Sequence, residues 1–119
     1  MLFFDFISDL IDRLKSEYAI QIIKDNTGIV DLCLERILLY GDNKVSNNEV
    51  YSCLYTLSGI VDIFREENED DHEIIRNLEE TRKLKEIFEE IKEDYAHHRD
   101  VNLRDESDLL LSLICFRFD

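Results

Sequence analysis

Along most of the chain, apolar residues recur at spacings of three and four, the pattern of helices that bury one face. Over residues 2–24, Phe3, Ile7, Leu10, Ile11, Leu14, Tyr18 and Ile22 predict one such face, and Asp9 and Arg13 form a favourable i,i+4 pair on the other side. Asn26, Thr27 and Gly28 end that helix. A second helix follows over residues 29–40. Leu32, Cys33, Ile37 and Tyr40 form its inner side, and Val30, Leu34 and Leu38 widen it, which implies burial on more than one side. Gly41 is placed to close this helix, and residues 42–44 complete a turn.

The third helix carries the clearest start signal. Ser46-Asn47-Asn48-Glu49 matches a capping box, in which Ser46 accepts from the Glu49 amide and Glu49 reaches back. Val45 and Val50 fall at the positions of a hydrophobic staple, and Val50, Leu54, Leu57, Val61 and Phe64 continue the stripe. Tyr51 and Tyr55 lie one turn apart at its edge. A fourth helix is expected over residues 71–97, capped by Asp70 or Asp71. Ile74, Thr81, Phe88 and Tyr95 recur every seven residues, with Leu84 and Ile91 interleaved, so the seam is of coiled-coil type but short enough to pack within a bundle. Residues 98–105 read as a polar connection. Ser107 then caps a last helix over residues 108–118, apolar nearly all round and therefore buried, with a strand over 111–118 as the alternative. The sum is an all-α, single-domain bundle of about five helices spanning residues 1–119.

Composition supports that reading. The 119 residues contain no proline and three glycines, and 45% are hydrophobic, enough for one real core. Cys33, Cys53 and Cys115 have no CxxC spacing and each sits in an apolar run, so they read as buried, reduced thiols. No basic segment precedes the apolar N-terminus, and no apolar run approaches the roughly 18 residues of a membrane span. A cytoplasmic protein is expected.

Charge changes the picture most. Acidic residues outnumber basic ones 28 to 14, for a formal charge of −14. Residues 65–100 hold fourteen acids and seven bases, a net −7. Much of the fourth helix answers its own acids through Glu79–Lys83 at i,i+4 and Glu79–Arg82 and Glu89–Lys92 at i,i+3, as a solvated helix face does. Residues 66–73 do not. Glu66, Glu67, Glu69, Asp70, Asp71 and Glu73 fill six of those eight positions, and none of the eight is lysine or arginine. Such a field repels nucleic acid and anionic lipid and attracts basic partners. Glu93 and Asp94 extend the patch if the bundle brings them near.

Candidate chemistry is thin. Glu69-x-x-His72 and Asp94-x-x-His97 are acid/histidine pairs at i,i+3, loosely like half of a di-iron carboxylate bundle. Two further helices would have to turn glutamates inward, and none lies on an apolar face, so no metal is expected. His97 and His98 read as exposed residues at a helix C-terminus, where a partly protonated imidazole suits the dipole. Arg65 and His72, separated by six residues, resemble the Arg-x(4–6)-His pattern of the all-α HEPN ribonucleases in those two residues alone. A site there would have to meet RNA phosphate across an almost wholly acidic stretch, and electrostatics weighs against it. No glycine-rich phosphate loop, nucleophile elbow or catalytic triad is present. The expectation is a protein without enzymatic activity or cofactor, with no direct contact to nucleic acid or membrane. Its charge suits a binding protein that occludes a basic partner such as a nuclease toxin, in the manner of an immunity protein or a nucleic-acid mimic. The competing expectation is a helical adaptor or self-associating module, forming a homodimer through the fourth helix or the last segment.

Overall fold

The computed structural model describes residues 2–42, 44–69 and 71–114; Asp70, residues 115–119 (with Cys115 and the end of the expected last helix) and the side chains of residues 2–6 (Phe3 among them), 8 and 98 lie outside the described residues. Among the described residues the chain is all-α, with seven helices and no strand. They are α1 Leu2–Arg13, α2 Ser16–Asp25, α3 Gly28–Leu38, α4 Asn47–Glu66, α5 Glu73–Glu79, α6 Arg82–His98 and α7 Val101–Leu113. No helix among them is long and apolar enough to cross a membrane.

The bundle is organised around α4, which packs against α1, α2, α3 and α7. Its predicted stripe is realised: Val50, Leu54, Leu57 and Phe64 are completely buried and Val61 nearly so. Cys53, Ile60 and Ile63 are buried as well, so α4 is enclosed on more sides than the stripe implied. Each such side chain contributes about 1.5–3 kcal/mol of transfer free energy, which makes α4 the chief source of cohesion. Its start follows the Ser46 half of the expected capping box, but the Glu49 carboxylate does not reach back to the Ser46 amide. The Ser46 Oγ accepts from the Glu49 amide at 3.2 Å, and Val45 and Val50 are both buried. The Glu49 carboxylate turns to Arg36 of α3 at 3.6 Å, joining the end of one helix to the start of the next. Ser46→Ala is expected to destabilise the fold by about 1 kcal/mol, read from urea unfolding, because the Glu49 amide loses its acceptor.

Two expected helices are broken. The first ends at Arg13 and restarts at Ser16 after an extended Lys15 at φ −65°, ψ 146°. The reason lies in the apolar pattern. An unbroken helix would turn Tyr18 and Ile22 inward, but the chain offers a second stripe, Ala19, Ile20 and Ile23, and the break selects it. Those three are buried, while Tyr18 and Ile22 are 58% and 37% exposed. The expected fourth helix is likewise divided, between Glu79 and Arg82. Unbroken, it would carry Lys85 on the side of Ile74, Leu78 and Phe88. The break leaves Lys85 outside and turns Leu84, Ile87, Phe88 and Ile91 into the core. Thr81 marks the joint, its Oγ1 donating to the Asn77 carbonyl at 2.6 Å. A continuous heptad seam through Thr81 is therefore absent.

The last helix begins earlier than expected. Asp100 caps α7 by accepting from the Leu103 amide at 3.0 Å. Ser107 lies inside the helix, buried, and donates to the Arg104 carbonyl. Leu103, Leu110 and Ile114 are buried, but Leu109 and Leu111 are exposed, so α7 is amphipathic rather than enclosed. Gly41 takes φ +89°, and the turn it completes is closed by the Asp42 amide on the Leu39 carbonyl at 2.9 Å. Cys33 and Cys53 are free and fully buried. The Cys33 thiol is held well above the ordinary range, first by its hydrogen bond with Cys53 and then by burial.

Candidate docking surface

The acidic run starts inside the last turn of α4 and folds around its C-terminus. The Asn68 amide donates to the Arg65 carbonyl at 3.1 Å and the Glu69 amide to the Phe64 carbonyl at 2.7 Å. Asn68 stands in the left-handed region at φ +58°. Together these make a Schellman closure, with asparagine where glycine is commonest. Asn68→Gly is expected to stabilise the protein by a few tenths of a kcal/mol in thermal melts, because it relieves a left-handed side chain at the cost of some unfolded-state entropy.

His72 closes the turn from the other side. Its Nδ1 accepts from the Ile74 amide at 3.1 Å and caps α5, and its ring centroid lies 5.2 Å from that of the buried Phe64. The cap is therefore His72 rather than Asp70 or Asp71, and an imidazole nitrogen is committed to the backbone. Among the described residues no group of three or more histidines, cysteines or acids is arranged to hold a metal ion.

Two of the acids are tethered to α2, at contacts invisible in local sequence. Lys24 Nζ pairs with Glu69 Oε1 at 2.5 Å. The Ser16 hydroxyl donates to Glu66 Oε2. Both partners lie 45 or more positions away in sequence. Glu67, Asp71 and Glu73 have no basic partner among the described residues; Asp71 and Glu73 are exposed and Glu67 half-buried. Asp70 lies outside the described residues.

The helix fields act on these acids with opposite signs. Glu66, Glu67 and Glu69 crowd the C-terminus of a 20-residue helix, its negative end, where a carboxylate is disfavoured by about 0.3–1 kcal/mol. Asp71 and Glu73 stand at the N-terminus of α5, where the sign is favourable. The first half of the run is thus placed against local electrostatics and is only partly offset by Lys24.

Beside the turn, α3 and α5 enclose a cleft of about 210 Å³. Val30, Ile74 and Leu78 give it an apolar floor, and Asp31 and Glu73 stand over it. Asp31 belongs to this surface but carries no signal in the sequence, where it reads as a first-turn acid of the second helix. Glu93 and Asp94 do not join it. Asp94 accepts from the Tyr40 hydroxyl at 3.0 Å just beyond the C-terminus of α3, whereas the acidic turn borders the N-terminus. The eleven residues of α3 set these ends roughly 16 Å apart. Burial and the Asp94 hydrogen bond raise the Tyr40 hydroxyl above its ordinary range, so this contact ties α6 to α3.

No protein-family model, curated protein or solved structure matches this chain.

Proposed function

We propose that this protein is a cytoplasmic, non-enzymatic inhibitor that docks through its acidic turn onto a basic partner, a nuclease toxin or another nucleic-acid-binding protein. The partner's lysines and arginines, which otherwise hold phosphate, pair with Glu67, Asp71 and Glu73, and the bulk of the bundle blocks the nucleic acid. This is the logic of an immunity protein or a nucleic-acid mimic. Complementary charge would also speed encounter.

One observation carries the reading. Carboxylates are concentrated at the negative end of α4 and held there by a closed turn, an arrangement that costs stability in the free protein. A basic partner reverses that sign. The apolar-floored cleft beside the turn offers contact area next to the charge. Binding is expected to weaken steeply between 50 and 500 mM salt, about the range over which the Debye length shrinks from well above to below 10 Å. The adaptor reading draws on exposed Leu109 and Leu111 of α7. It would give a dimer in light scattering and an affinity nearly independent of salt.

A further inference from the structure

A second concave surface lies between α1, α4 and α7. It is a groove of about 230 Å³, below the range of pockets for drug-sized ligands and suited to a single side chain. Its walls are largely apolar, formed by Tyr55, Leu109 and Leu113 over Gly59. Tyr55 and Leu109 are 41% and 49% exposed, so the rim presents large apolar surface to solvent. Three helices each contribute a carboxylate: Asp12, Asp62 and Glu106. Among the described residues, no lysine or arginine lines the groove. The Tyr55 hydroxyl donates to Asp12 Oδ2 at 3.3 Å, which fixes the aromatic wall against the acid.

Charge and shape together select the occupant. A carboxylate ligand is repelled, and a purely apolar one would desolvate three acids without compensation. A long cationic side chain satisfies both halves, with its methylenes on Leu109 and Leu113 and its charge among the carboxylates. Arginine fits better than lysine. Its guanidinium is planar, weakly hydrated, stacks on a tyrosine ring and carries forked donors for several carboxylates at once.

We propose that this groove receives an arginine side chain of the partner, as an anchor separate from the acidic turn. The proposal rests on the reading of a basic partner, but its test requires none. N-acetyl-arginine amide is titrated into isotopically labelled protein while amide shifts are followed, with N-acetyl-citrulline amide, its neutral isostere, as comparator. Saturable shifts at Gly59, Asp62 and Glu106 are expected with arginine and not with citrulline, and Asp62→Asn or Glu106→Gln should weaken them at least about tenfold. Equal response to citrulline, or wild-type binding by both variants, would overturn the proposal.

Folding is controlled for within the experiment. Burial holds the Glu106 carboxyl above its ordinary 4.5, partly offset by a hydrogen bond from Ser58, with Asp12 and Asp62 the other acids facing the groove. The folded chain therefore binds that proton more tightly than the unfolded chain, and stability falls as pH rises from 4.5 through the raised value. Glu106→Gln removes this cost and should melt no lower than wild type at pH 7. The Glu67→Lys/Asp71→Lys variant should keep its arginine response, which separates failure of the groove from failure of the turn. Loss of the response there would place the cation site at the turn and contradict the groove.

Discussion

Phe64→Ala is expected to lower the unfolding free energy by about 3–5 kcal/mol, the largest effect of any single substitution near the acidic turn. Phe64 is completely buried on the central helix, so its removal leaves a cavity in a core that has little room to collapse. The same residue anchors the turn. Its carbonyl accepts the Glu69 amide, and its ring packs against His72, which caps α5. Against a typical total of about 5–15 kcal/mol, the loss is about a fifth or more of the stability. Urea unfolding gives the number, and hydrogen exchange gives the location: the amides of α5 should lose protection ahead of those of α3. Phe64→Leu keeps most of the volume and should cost far less, under about 2 kcal/mol. A loss below 1 kcal/mol for the alanine variant would mean that the turn is not built on the core.

The second large effect is on binding, with stability nearly untouched. Glu67→Lys/Asp71→Lys is expected to weaken partner affinity by about 100-fold or more, since each reversal replaces an attraction with a repulsion and close interfacial charge pairs couple by about 1.5 kcal/mol upward. These two positions are chosen over Glu66 and Glu69, whose contacts with Ser16 and Lys24 belong to the fold. The helix fields then predict cancellation. A lysine at residue 67 suits the negative end of α4, a lysine at residue 71 opposes the start of α5, and each term is a few tenths of a kcal/mol. The variant should therefore melt close to wild type.

What the sequence made legible follows from which signals are local. The Ser46 cap, Gly41 and the stripe of α4 depend on neighbours within four or five residues, and the structure places each as expected. The all-α class follows from the same periodicity. The breaks at Lys15 and near Thr81 were not legible, because neither carries proline or glycine. They arise where two overlapping apolar stripes compete and long-range packing against α4 decides between them. Asp100 capped α7 in place of Ser107 for a related reason. Both are good capping residues, and burial of Leu103 favours the longer helix. At the acidic turn, composition located the run, but its geometry did not follow. Ser16, Lys24 and Asp31 approach it only through tertiary structure, and Asp94 is drawn to Tyr40 at the far end of α3.

The most direct test of the docking turn uses the basic protein recovered by affinity capture from the native cell or encoded beside this one. Its dissociation constant is measured by calorimetry against wild type and against Glu67→Lys/Asp71→Lys, at low and high salt, with circular dichroism confirming equal helicity. The predicted result is steep salt dependence for wild type and a loss of about 100-fold or more in the variant. Unchanged affinity in the variant, with the fold intact, would contradict the account.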